Sequence, residues 1–217
     1  MRSWRLLSLP ALLLAGCATV TPPVPAENPL LAWRAREQEL SALNTWDVSG
    51  RLALHTANDG GTVGLRWVRR KDHYTIDLSG PLGRGMVRLK QDPQGASLED
   101  AERHVYRAAN AEKLLLETTG WRIPLDGLGY WIRGLPVPQV PEQQQLDDRG
   151  RLRSLNQLGW HIRFIAYAKF GRYNLPSHMI LTLAEPSDAH DFSASPSIAS
   201  NTAVEARLVI ERWALLQ

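Results

Sequence analysis

Cysteine is almost absent from this chain, because its 217 residues contain only one, Cys17. A single cysteine excludes a disulfide within the chain, whatever the redox compartment. The N-terminal apolar run, residues 6–15, does not indicate a membrane-spanning helix, since a bilayer requires about 20 such residues. The rest of the chain is long enough to build one domain around a hydrophobic core.

Signatures of the common catalytic and metal sites are also missing. The sequence has no G-x-S-x-G elbow, no phosphate-binding glycine loop and no H-E-x-x-H pair. Its six histidines lack the spacing of metal ligands, and the adjacent acids at 99–100 and 147–148 are typical of solvated turns. We therefore expect a protein that is not an enzyme, although a triad assembled from distant positions stays open.

The first 17 residues instead have the features of a bacterial lipoprotein signal, in the expected order. A basic head with Arg2 and Arg5 precedes the short apolar run, which ends in L-A-G-C at 14–17. In such signals residues 1–16 are removed and the cysteine, here Cys17, is lipidated. An ordinary signal peptide that ends near a cysteine by chance fits less well, because the chain has no other cysteine. Ala18 stands where an aspartate would favour the inner membrane, so the outer membrane is expected.

Removal of this signal also leaves little net charge. The basic count falls from 25 to 23 with the loss of Arg2 and Arg5, against 22 acidic residues. A charge near +1 gives no electrostatic reason to expect a nucleic-acid partner. Residues 17–28 are proline-rich and read as a tether that reaches roughly 35 Å at most, followed by a single domain over 29–217.

Apolar and polar residues alternate over several short runs of this domain, which is typical of half-buried antiparallel strands. These runs lie at 46–54, 63–67, 74–79, 87–90, 151–156, 160–167, 179–184 and 204–213, with a weaker pair at 96–98 and 104–107.

Three segments carry helix signals. Asn28 and Pro29 predict a helix start, Asn110 is placed to cap a second helix, and Pro124 to open a third that ends by Gly134. Strands followed by a helical pair and more strands indicate a strongly curved antiparallel sheet with helices against its concave face. Periodicity alone does not decide whether the space between sheet and helices is packed or leaves an apolar hollow.

Several motifs, in order, resemble the LolB family of outer-membrane lipoprotein receptors. They are W-x-V-x-G-R-L at 46–52, L-R-W at 65–67, Y-x-I-x-L-S-G-P-L-G at 74–83, E-x-L at 112–114, G-W-R-I-P-L at 120–125, L-x-x-W-I-R-G-L-P at 128–136, G-W at 159–160, L-P-x-x-M-x-L at 175–181 and L-V-I-E-R-W at 208–213. The resemblance covers nearly the whole mature domain. Residues 185–203 depart from it, because they are longer than the final hairpin expected of the family, and this leaves the register of the last two strands open.

The resemblance implies a mainly β fold with helices (α+β): an incomplete, strongly curved antiparallel β-barrel, lidded by short helices around a hydrophobic cavity. It implies a receptor that is lipid-anchored in the outer membrane and faces the periplasm. Such a receptor accepts lipoproteins from the soluble carrier LolA by binding their acyl chains, and inserts them into the inner leaflet of the outer membrane. It implies no cofactor and no nucleotide, and we expect a monomer.

The turn S-G-P-L-G-R-G at 79–85 places an apolar residue, Leu82, at the tip of a predicted hairpin. The residues alone favour a leucine that folds back over the hairpin as a plug. The resemblance implies instead that Pro81, Leu82 and Gly83 form a membrane-targeting loop with Leu82 exposed.

We expect the acyl-chain cavity to be lined by apolar residues of the strands and helices, although each of them fits a packed core as well. The predicted set is Trp46, Leu52, Leu65, Trp67, Ile76, Leu78, Leu128, Trp131 and Ile162.

Two other functions stay open. One is a structural envelope lipoprotein that serves as an accessory of an assembly machine, for which a packed core and an exposed sheet edge would be expected. The other is a lipid hydrolase, for which serine, histidine and aspartate should gather at the cavity mouth.

Overall fold

The computed structural model describes residues 28–55, 60–80, 86–119, 123–183 and 205–215. The predicted signal, Cys17, the tether up to residue 27 and the segment 185–203 lie outside the described residues. Pro81, Leu82 and Gly83 lie outside them too. None of the helices within the described ranges is long and apolar enough to span a membrane.

Helix α1 (Pro29–Ser41) begins as the sequence predicts. The side-chain oxygen of Asn28 accepts hydrogen bonds from the backbone N–H groups of Leu30 and Leu31, at 3.0 and 3.2 Å. The cap satisfies donors that have no partner inside the helix, and Pro29 has no N–H to satisfy. The helix buries Trp33 and Leu40 against the rest of the domain.

The other helices are α2 (Ala111–Thr119) and α3 (Leu125–Trp131). Asn110 caps α2 as predicted, since its side chain accepts a hydrogen bond from the backbone N–H of Lys113 at 2.8 Å. The strands are β1 (Thr45–His55), β2 (Gly60–Arg70), β3 (His73–Ser79), β4 (Met86–Asp92), β5 (Gly95–Glu99), β6 (Val105–Ala108), β7 (Gln143–Leu146), β8 (Leu152–Gln157), β9 (Trp160–Phe170), β10 (Tyr173–Leu183) and β11 (Glu205–Leu215).

All eleven strands form one open, curved antiparallel sheet, in the order β6-β5-β4-β3-β2-β1-β11-β10-β9-β8-β7. The mainly β fold with an incomplete barrel is therefore confirmed. The register of the last two strands is also settled, because β11 pairs with β10 on one side and with β1 on the other.

One strand was not predicted, and β10 begins six residues earlier than predicted. The sequence of β7, QQQL, has no apolar alternation, yet it pairs with β8 and forms an edge of the sheet. β10 begins at Tyr173 and includes Pro176, where the register with β9 shifts. The irregular pairing accommodates a residue that cannot donate a ladder hydrogen bond.

The two ends of the curved sheet differ in how they are filled. At the end where β1 starts, Trp46 packs edge to face on Trp67 and Trp213, with ring centroids 5.2 and 5.3 Å apart. Helix α1 lies at this end, because the backbone N–H of Lys71, in the β2–β3 turn, donates to the carbonyl of Asn44 just after the helix. We call this the packed end. The β1–β2, β3–β4 and β10–β11 connections leave from the opposite end.

A buried arginine joins α1 to the segment after α3. Arg133 is 6% exposed and donates to the carbonyl oxygens of Gly129 and Leu43, at 2.9 and 2.7 Å. Burial lowers the pKa of Arg133 to about 10. The positively charged guanidinium thus contacts carbonyl groups near the C-termini of α1 and α3. Helix C-termini favour a positive charge, because the helix dipole is negative there.

Candidate functional site

The half of the barrel opposite the packed end encloses a cavity of ≈ 370 Å³, within the 300–1,000 Å³ usual for ligand sites. Every residue that lines it within the described part of the chain is apolar. The strands contribute Leu52, Leu54, Val63, Leu65, Trp67, Ile76, Leu78, Val87, Leu89, Leu98, Trp160, Leu181, Ala206 and Leu208, with Gly80 just after β3; the helical side contributes Leu115, Ile123, Leu125, Leu128 and Trp131. The sheet forms the floor and walls, and α2 and α3 form the roof.

Seven of the nine residues predicted for the cavity lie in its lining. They are Leu52, Leu65, Trp67, Ile76, Leu78, Leu128 and Trp131.

Trp46 and Ile162 do not line the cavity. Trp46 has no exposed surface and belongs to the aromatic cluster of the packed end. Ile162 is also fully buried, on β9 between its strand partners Leu155 and Leu181, and only Leu181 reaches the cavity. Both side chains face the inside of the sheet, but at positions that other side chains fill.

Other lining residues were missed, although some of them had a signal in the sequence. Leu54, Val63, Val87 and Leu89 continue the alternation that marks their strands and so face the same side as the predicted residues. Trp160, the first residue of β9, also alternates with the predicted Ile162 and so faces the same side of its strand.

A buried glutamine side chain connects the roof to the sheet. Gln157 on β8 is 3% exposed, and its side-chain oxygen accepts hydrogen bonds from the indole N–H of Trp131 and the backbone N–H of Val137, at 3.0 and 2.8 Å. Its side-chain nitrogen donates to the carbonyls of Val137 and Val140, at 3.0 and 3.3 Å. Gln157 therefore fixes both the Trp131 ring over the cavity and the proline-rich segment that follows α3.

The two roof helices are also linked to each other and to the sheet. Glu112 on α2 accepts a hydrogen bond from the backbone N–H of Asp126 at the start of α3, at 3.3 Å. The Asp126 carboxylate lies 3.8 Å from the guanidinium of Arg69 on β2. Burial raises the pKa of Glu112, so folding disfavours its ionised form.

We expect Glu112→Gln to be more stable than the wild type at neutral pH, by less than about 1 kcal/mol because Glu112 is only partly buried. A raised carboxyl pKa means that the folded state binds the proton more tightly than the unfolded state. The wild type therefore loses stability as pH rises from the ordinary glutamate value, about 4.3, through the raised pKa. Urea unfolding at about pH 4 and pH 7 should show a gap between variant and wild type that opens as pH rises.

The control is Glu117→Gln on the same helix, where the carboxylate is largely exposed and lies 3.7 Å from Lys113. This change should produce no such pH-dependent gain. A Glu112→Gln variant that is less stable than the wild type at pH 7 would mean that the ionised carboxylate is needed for the link to α3.

Three neighbouring side chains among the described residues are of types that bind metal ions, but their hydrogen bonds stabilise a turn. Ligand atoms of Asp100, Glu102 and His104 lie within 4.8 Å of one another between β5 and β6. One Asp100 oxygen accepts from the backbone N–H groups of Glu102 and His104, at 3.0 and 2.8 Å. We assign these residues to the stability of the turn.

Comparison with known proteins identifies the family to which the sequence belongs. A family model described as "Outer membrane lipoprotein LolB" matches residues 44–213. The outer-membrane lipoprotein LolB of Pseudomonas putida (strain W619) is 39% identical over 171 residues, which cover 78% of this chain and 83% of the relative. LolB of Pseudomonas fluorescens (strain Pf0-1) is 40% identical over 172 residues, with the same coverage.

Among solved structures, a DUF1329 family protein from Desulfovibrio piger, determined at 1.75 Å resolution, superposes with a TM-score of 0.52 and 11% identity. The match covers 87% of this chain and 93% of that one, and at this identity it supports the fold alone. The sequence matches carry the assignment: this chain belongs to the LolB family of outer-membrane lipoproteins.

Proposed function

We propose that this outer-membrane lipoprotein is a receptor that takes lipoproteins from the periplasmic carrier LolA and inserts them into the outer membrane. The observation that carries the proposal is the cavity, in whose lining all the residues that the structure describes are apolar. Hydrocarbon chains fit such a lining because they need no polar partner. The lipidated N-terminus of a cargo lipoprotein supplies chains of this kind.

The energetics favour transfer between apolar sites over release into water. Each buried CH₂ group contributes about 0.8 kcal/mol, so a 16-carbon chain carries on the order of 12 kcal/mol. Release of such a chain into water is therefore disfavoured at equilibrium by roughly nine orders of magnitude. A chain that slides from carrier to cavity to bilayer needs only a small gain at each step, and this sets the direction without a nucleotide.

The proposal is tested by incubating the protein with a complex of LolA and a radiolabelled lipoprotein. Label should move from the carrier to this protein and then to added phospholipid vesicles. If label stays on LolA under conditions where both proteins are folded, the receptor function is wrong.

The role of Leu82 as a membrane contact remains part of the proposal, and it rests on the resemblance of the 79–85 turn to the family. We expect Leu82→Glu to reduce transfer into vesicles by about tenfold or more, since burial of a leucine side chain contributes roughly 1.5–3 kcal/mol. Capture of cargo from LolA should persist, because the cavity lining is unchanged. Both steps are read from the same radiolabel experiment.

A matched control is Ile165→Glu, which places the same charge at an exposed position on β9 that is 48% accessible. Transfer by this control should equal that of the wild type. If the Leu82→Glu variant delivers cargo at the normal rate, Leu82 does not take part in delivery. If both variants lose the same amount of transfer, added charge alone slows delivery.

A further inference from the structure

Two adjacent leucines in the first turn of α1 are the most exposed large apolar side chains among the described residues. Leu30 and Leu31 are 64% and 61% accessible. Both stand before the first buried residue of the helix, Trp33. Single exposed apolar residues are normal, whereas here two consecutive large ones are exposed at the same end of the domain.

The helix that carries this pair is held firmly against the domain. Gly150, with φ +68°, lets the β7–β8 turn approach so closely that a Cβ there would lie 2.7 Å from the backbone nitrogen of Trp33. The Arg36 guanidinium donates to the carbonyl of Asn174 and stacks 5.3 Å from the ring centroid of Tyr167. The two leucines therefore project from a fixed helix.

The charges around the pair suit a phospholipid surface. The first turn of α1 has no acidic residue, although helix N-termini usually favour one. Arg34 is exposed and follows Leu30 and Leu31 by four and three positions, which places all three on neighbouring surface of the helix. A leucine pair can insert at the head-group boundary, and an arginine beside it gains about 1 kcal/mol near an anionic leaflet.

The length of the preceding chain identifies the surface that is within reach. The predicted lipidated residue, Cys17, is 11 positions before Asn28, so the tether spans roughly 35 Å at most. The leaflet that holds the acyl chains is always within that distance of α1, whereas a protein partner would have to diffuse to it. Even a modest apolar contact is strengthened by such a tether.

We propose that Leu30 and Leu31 are a second membrane contact, which rests on the inner leaflet of the outer membrane beside the lipid anchor. Because α1 lies at the packed end, this contact turns the cavity end away from the membrane and toward arriving cargo. Delivery at the cavity end then requires the domain to turn over on its tether. The inference rests on the lipid anchor predicted at Cys17 and is independent of the transfer step of the proposed function.

The test uses the full-length lipidated protein on vesicles in which phosphatidylethanolamine is in excess over phosphatidylglycerol. Cys17 is the only native cysteine, and its sulfur is occupied by lipid, so one fluorescent thiol label can be placed at Leu31→Cys. Matched labels are placed at Thr62→Cys, exposed at the cavity end, and at Ile165→Cys on the side of the barrel. Quenching by nitroxide lipids is compared with quenching by iodide in water, and circular dichroism checks folding.

We expect nitroxide lipids to quench the label at position 31 several-fold more strongly than the labels at 62 and 165, with the reverse order for iodide. Stronger lipid quenching at 62 would place the cavity end on the membrane and overturn the inference. Equal, weak lipid quenching at all three positions would mean that the anchor alone holds the domain, which overturns it as well. Cargo transfer in the same vesicles reports on the proposed function separately.

Discussion

Tryptophan in place of both Leu52 and Leu78 is expected to reduce acyl-chain binding by more than about tenfold without loss of stability. Both leucines line the cavity from the sheet side, so the larger rings occupy space that is empty in the wild type. Added volume in a packed core costs about 1–3 kcal/mol, whereas added volume in a cavity gains contacts. Binding is measured by titration with a fluorescent fatty acid, and stability by urea unfolding.

The matched control for this double variant is Ile165→Trp, which adds a ring on the exposed surface of β9. It should bind the fatty acid as the wild type does. A double variant that binds normally would show that acyl chains lie elsewhere. A double variant destabilised by several kcal/mol would show that this region is already packed.

The largest loss of stability is expected for Gln157→Leu, at about 3–5 kcal/mol. Leucine fills a similar volume but leaves four partners unpaired: the buried indole N–H of Trp131 and, in partly buried positions, both backbone groups of Val137 and the carbonyl of Val140. Each buried polar group without a partner costs about 1–3 kcal/mol, and partial relaxation reduces the sum. The roof should loosen as well, so we expect weaker fatty-acid binding in molecules that remain folded.

Gln144→Leu is the informative comparison, because the same exchange is made on the neighbouring edge strand. The side-chain oxygen of Gln144 is buried without a hydrogen-bond partner among the described residues. Its removal therefore leaves no donor without an acceptor. We expect it to be neutral or stabilising in the same urea experiment. Similar losses in the two variants would mean that the Gln157 hydrogen bonds do not hold the roof.

The alternation of apolar and polar residues was sufficient to predict the curved sheet, and capping residues were sufficient to place the helix starts. Both are local signals that the final structure does not override at Asn28 or Asn110. β7 had no such signal, since an edge strand of glutamines is recruited by pairing with β8. The first half of β10 was hidden by Pro176, which a register shift accommodates.

Periodicity predicted which residues face inward, but not which inward positions border empty space. Trp46 and Trp67 both face the inside of the barrel, yet only Trp67 borders the cavity, because the partner side chains of Trp46 fill the packed end. Which of the two tryptophans borders the cavity depends on the positions of α1 and α3 against the sheet. The role of Gln157 could not be predicted from the sequence either, because its hydrogen-bond partners are 17 to 26 residues away in the chain.

The central claim is that acyl chains lie between the sheet and the two roof helices, and a photoactivatable fatty acid tests it most directly on the unmodified protein. After illumination, mass spectrometry identifies the residues that carry the label. The account predicts adducts on lining residues from both sides, such as Leu65 of the sheet and Leu128 of α3. Adducts confined to exposed positions such as Ile165, with none in the lining, would contradict it.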